Sequence, residues 1–172
     1  MKRLLLSGSA LLLSLLLSLL LGQFNGKVQA QTLTDLEAKF SCSQTRQEDG
    51  EGERLIYADQ AQIQIKGAQI LALQWESSLF RSSHGHECSI DSSDEPLAEV
   101  TEKGWRISLK DAVAARQRRG YDTERGSQCS IRLERDGEQL RIKPSCPTLC
   151  GSRNNFSALT VNLQTGVCHY DE

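Results

Sequence analysis

Six cysteines, Cys42, Cys88, Cys129, Cys146, Cys150 and Cys168, set the strongest limit on how this chain folds. All of them follow residue 30, behind a stretch built like an export signal. Lys2 and Arg3 give a positive start, Leu4 to Leu21 an apolar run, and Val28-Gln29-Ala30 a site that predicts cleavage between Ala30 and Gln31. A retained anchor helix is the competing reading, because the run approaches the roughly 20 apolar residues that span a bilayer. The polar stretch from Gln23 to Lys27 and the cleavage site favour removal. An even number of cysteines in an exported chain reads as a disulfide framework, since the oxidising compartment lets the bonds persist. Six cysteines allow about 15 connectivities, and the sequence does not choose among them. Each bond stabilises by about 2–4 kcal/mol.

The expected organisation is therefore a signal peptide over 1–30 and a single disulfide-stabilised β domain over 31–172. The expected location is periplasmic or secreted. Residues 31–172 carry 17 basic and 22 acidic side chains, a net of −5, which argues against nucleic acid as a ligand. Membrane contact is expected only through the signal before cleavage.

Period-two alternation marks the strands, because it gives one buried and one wet face. Ala61, Ile63 and Ile65 alternate with polar residues, the chain turns at Lys66-Gly67, and Leu71, Leu73 and Trp75 alternate again. Trp105, Ile107 and Leu109 give another strand. Cys129, Ile131 and Leu133 lead to an Asp136-Gly137 turn, with Leu140 and Ile142 returning, a strong hairpin signal. Leu159, Val161 and Leu163 precede a Thr165-Gly166 turn and a last strand at Val167 to Tyr170. Thr34 to Phe40 reads as a short helix or turn, Gln44 to Arg54 and Arg81 to Glu95 as loops, and Asp111 to Arg119 as a helix stopped by Gly120. The count is roughly seven strands, in a mainly β, antiparallel class: a single sheet or a small barrel with short helical pieces.

Charge divides along the chain. Residues 31–102 carry a net of −9 and residues 103–143 a net of +5. The basic stretch Arg116, Arg118, Arg119 and Arg125 near Tyr121 suits a phosphate, a carboxylate-rich partner or an anionic glycan. Its competing reading is a solvated helix face.

His84-Gly85-His86-Glu87-Cys88 has metal-like residue types, but no second ligand cluster accompanies it, and a thiolate ligand conflicts with disulfide formation. Cys146 and Cys150 stand four apart, which is not the spacing of a redox pair. Asn155-Phe156-Ser157 is a glycosylation sequon only in a eukaryotic source. Neither a G-x-S-x-G elbow, an H-E-x-x-H helix nor a phosphate loop occurs. No catalytic residue, metal or cofactor is assigned. The candidate binding positions are Ser83, His84, His86, Arg116, Arg118, Arg119 and Tyr121, and the expected partner is a protein or an envelope glycan. A small envelope hydrolase and a purely structural envelope protein are the alternatives.

Phe40-Ser41-Cys42, Ala61-Gln62-Ile63-Gln64-Ile65 and Gly166-Val167-Cys168-His169-Tyr170 together resemble the periplasmic inhibitors of c-type lysozyme. The resemblance implies a small antiparallel barrel and pairs Cys42 with Cys168. If Cys146 then bonds Cys150, Cys88 bonds Cys129; the alternative set is Cys42–Cys88 with Cys129–Cys168. The family's Ser-Gly-x-x-Tyr recognition loop has Ser83-His84-Gly85 in its place here, with no Tyr following. Separately, the C-x-x-x-C-G-x-R-x-x-F pattern from Cys146 to Phe156 is similar to the end of uncharacterised exported bacterial proteins.

Overall fold

Among the described residues, alternation of apolar and polar side chains builds ten strands, which one short α-helix accompanies. In order these are β1 (Asp35–Gln47), β2 (Arg54–Lys66), β3 (Gln69–Phe80), β4 (Gly85–Asp91), β5 (Pro96–Thr101), β6 (Gly104–Leu109), α1 (Ala112–Arg119), β7 (Ile131–Asp136), β8 (Gln139–Pro144), β9 (Leu159–Asn162) and β10 (Cys168–Tyr170). This computed structural model describes residues 35–47, 52–120, 128–145 and 158–171. All of them belong to one unit, Leu33–Glu172. The signal segment, Tyr121, Arg125, Cys146, Cys150, the Cys146-to-Phe156 pattern and the sequon lie outside the described residues.

The strands form two antiparallel sheets, one ordered β1-β2-β3-β4 and the other β10-β9-β8-β7-β6-β5. The mainly β, antiparallel, disulfide-bonded class therefore holds, as two sheets with no closed barrel among the described residues. The inward faces merge into one core. The first sheet supplies Leu36, Ala38, Phe40, Ile63, Ile65, Leu73 and Trp75, and the second supplies Trp105, Ile107, Ile131, Leu133, Leu140, Ile142, Leu159 and Val161. Burying each large apolar side chain contributes about 1.5–3 kcal/mol.

Among the described residues, hydrogen bonds and a disulfide clip the sheets together. The Trp105 indole donates to Gly67 O at 2.8 Å, and the Arg135 guanidinium to Asp35 O at 3.1 Å. The Tyr170 hydroxyl donates to Asp59 at 2.7 Å. A disulfide joins Cys42 of β1 to Cys168 of β10, with the Cα atoms 5.9 Å apart.

Several expectations are corrected. Thr34 to Phe40 is not helical: from Asp35 onward it is β1, because Leu36, Ala38, Phe40 and Cys42 share one buried face and pair with β2. The Gln44-to-Arg54 loop is shorter, since β1 runs to Gln47 and β2 starts at Arg54. The Arg81-to-Glu95 loop contains β4, which pairs with β3 and buries Cys88 and Ile90, followed by a 3-10 turn at Ser92–Asp94. Leu71 does not join Leu73 and Trp75 inside. The β2–β3 register shifts beside Gln64 and Ile65, which leaves Leu71 57% exposed while Ile70 packs on the core.

Other expectations hold. The β7–β8 hairpin turns through Gly137 at φ 57°, and β2–β3 turns through Gly67 at φ 57°. The α1 helix starts at Asp111, whose carboxylate accepts from Ala114 N at 2.9 Å, and stops at Gly120, φ 70°.

Candidate functional site

The expected binding positions fall on two separate elements. Ser83 and His84 lie in the turn between β3 and β4, and His86 follows on β4. The His84 and His86 rings meet edge to face, 5.1 Å between centroids. Ser83 Oγ stands 2.8 Å from His84 Nδ1 and 3.3 Å from Glu53 Oε1. A serine, a histidine and a carboxylate thus come together, but in the wrong order for nucleophilic catalysis. There the carboxylate orients the histidine and the histidine activates the serine. Here Glu53 accepts from Ser82 Oγ, Ser83 Oγ, Ser83 N and Arg81, all on the turn itself. Those bonds, with Ser82 first among them, hold the Glu53 carboxyl down at about 2. The cluster is exposed and locks the turn. Cys88 is disulfide-bonded, so its sulfur is not a thiolate ligand beside the histidines.

The arginines of α1 are engaged internally. Arg116 is buried. Arg118 donates to Ser93 O at 3.1 Å. Arg119 holds Asp94 through Nε at 3.0 Å and Nη2 at 2.7 Å, Asp91 at 2.9 Å and Ser89 Oγ at 2.7 Å. The Asp94 bonds, then Asp91, push the Arg119 guanidinium further up, while the Ser93 hydroxyl and then Arg119 lower Asp91. This forked pairing clamps α1 onto the β4–β5 connection. The sequence named these arginines without their partners, which lie about 25 residues upstream.

A buried carboxylate escaped the sequence reading. Asp59 is 3% exposed and lies in a cross-strand row with Cys42, Ser77 and Cys88, all buried. It accepts from the Trp75 indole at 3.0 Å and the Tyr170 hydroxyl at 2.7 Å. The available signal was its phase, because Asp59 shares the inward parity of Ala61, Ile63 and Ile65. Burial raises its pKa above the ordinary carboxylate value, against the lowering effect of bonds from Tyr170, Ser77 and Trp75. Burial and the neighbouring Asp59 charge likewise raise Tyr170.

A carboxyl raised in the folded state contributes stability that is complete below its unfolded value and lost as pH rises through the folded value. The wild type therefore gains on Asp59→Asn as pH falls from neutral toward 4. Melting curves of the two proteins across that range check this; a gap that stays flat or narrows on acidification contradicts it.

The outer face of the first sheet carries an open hollow of about 450 Å³. Lys39, Gln62 and Gln74 stand side by side on β1, β2 and β3, and Ser41, Gln60 and Glu76 form the next row. The β9–β10 turn lines one side at Gly166. Glu76 accepts from the Gln60 amide and, at 3.3 Å, from Gln74. Lys39, Ser41 and Gln62 have no side-chain bond among the described residues. The backbone at Phe40 and Ala61, whose side chains point into the core, also lines it.

Fold and surface define a class: a disulfide-stapled, two-sheet antiparallel protein with a polar hollow on one sheet. Comparison with protein-family models, curated proteins and solved structures finds no match.

Proposed function

We propose that this is an exported binding module that takes an uncharged, hydroxyl- and amide-rich glycan on the outer face of β1–β3. The observation that carries the reading is the free lining of the hollow: the Gln62 amide, the Ser41 hydroxyl and the Lys39 ammonium. An amide both donates and accepts, as a sugar hydroxyl does, and the hollow lies within the roughly 300–1,000 Å³ of small-ligand sites. The disulfide supports an oxidising compartment. No helix among the described residues is long and apolar enough to cross a membrane.

Calorimetric titration of the purified, oxidised protein with N-acetylglucosamine oligomers tests the reading. Binding is expected, and Lys39→Ala with Gln62→Ala weakens it about tenfold, as loss of two ordinary hydrogen bonds would. No binding, or binding that the double variant keeps, overturns it.

A second reading is an inhibitor of an envelope hydrolase that acts through the Ser83-His84-Gly85 turn. Its support is the Cys42–Cys168 bond, which is the pairing implied by the resemblance to lysozyme inhibitors. Under this reading the protein slows c-type lysozyme, and His84→Ala relieves the inhibition.

A further inference from the structure

The opposite outer surface carries a different chemistry. Arg106 of β6, Arg132 of β7 and Lys143 of β8 are direct cross-strand neighbours, Arg106 with Arg132 and Arg132 with Lys143. All three are exposed on the outer face of the second sheet. Like charges placed directly opposite destabilise a sheet. Arg106 reaches Glu99 only at 3.9 Å, and Arg132 and Lys143 form no ion pair among the described residues. With strands about 4.8 Å apart, the row is a straight line of three cations about 10 Å long.

We propose that this row binds a linear acidic glycan carrying one carboxylate per sugar, laid across β6, β7 and β8. The geometry selects against other polyanions. A lipid headgroup surface needs a patch wide in two directions, but Glu99 stands at the end of the row and Glu134 stands beside Arg132 on the same face. Duplex nucleic acid carries a charge every ~1.7 Å of axis, far denser than this row. The site is independent of the hollow, which lies on the outer face of the other sheet.

Titration of the purified protein with oligogalacturonates of increasing length tests the proposal. Affinity is expected to rise up to about three sugars and then level off, because the row offers three cations over two strand spacings, about 10 Å. Arg106→Gln with Arg132→Gln and Lys143→Gln weakens it about tenfold or more. Arg54→Gln with Lys66→Gln, on the other sheet, leaves it unchanged, as does the Lys39→Ala, Gln62→Ala variant. Salt of about 1 M, where screening acts within ~3 Å, releases the glycan. Removal of three neighbouring like charges predicts that the triple variant melts no lower than the wild type, which separates loss of binding from loss of fold. No binding at any length, binding that the triple variant keeps, or tighter binding to anionic vesicles or RNA overturns the proposal.

Discussion

Alanine at position 104 is expected to cost about 4 kcal/mol or more, the range where a single substitution removes most of a domain's stability. Gly104 opens β6 after the Glu102-Lys103 turn, at φ 154°, and pairs with Glu134 of β7. A Cβ there would lie 1.9 Å from the Leu133 carbonyl oxygen, far inside contact distance. The obstacle is backbone, so no rotamer change relieves it. β7 would have to draw back, which breaks the Arg135 N to Lys103 O bond of 2.8 Å and parts Trp105 from Leu133, both deep in the core. Gly137 provides the control. It also has positive φ, 57°, but nothing stands within 4 Å of its added Cβ. Gly137→Ala should cost only about 1–2 kcal/mol, the strain of a left-handed residue. Denaturant midpoints of the two variants check the contrast, and equal midpoints would contradict the packing described for β6 and β7.

The second large effect belongs to the Cys42–Cys168 bond. It joins positions 126 residues apart, and restricting so long a loop in the unfolded chain contributes about 4–5 kcal/mol. β10 is also only three residues long and pairs with β9 over those residues. Cys42→Ala with Cys168→Ala therefore lowers unfolding stability by about 3–5 kcal/mol, against about 1–3 for Tyr170→Phe, which leaves one acceptor of Asp59 unmet. Urea titration of both variants checks the order. A loss below about 1 kcal/mol in the double variant would mean that hydrogen bonds and packing alone hold the seam.

The sequence marked interior strands better than edges. β2, β3, β6, β7 and β8 bury alternating Ile, Leu and Trp and are flanked by strands on both sides, so their period is plain. Three of the four edges, β1, β4 and β5, were the strands missed, whereas the fourth, β10, shows in the run from Val167 to Tyr170. Edge strands carry polar and charged residues that blunt unwanted pairing, and this thins the pattern. In β1 the helix-forming Leu, Glu, Ala and Lys prevail locally, and only pairing with β2 over thirteen residues overrides them. The candidate sites were less visible. Lys39, Ser41, Gln60, Gln62 and Gln74 are ordinary outward positions until strand register sets them side by side. The cations of the second sheet came together the same way, whereas the conspicuous run of arginines on α1 serves the clamp to Asp91 and Asp94.

On the proposed reading, ligand meets the outer face of β1–β3 and not the β3–β4 turn. Amide chemical-shift mapping of the labelled, oxidised protein with N-acetylglucosamine oligomers tests it most directly. Shifts are expected to centre on Lys39, Ser41, Gln60, Gln62 and Gln74, with Ser83, His84 and His86 unmoved. Shifts confined to the turn, or none at saturating ligand, would contradict it.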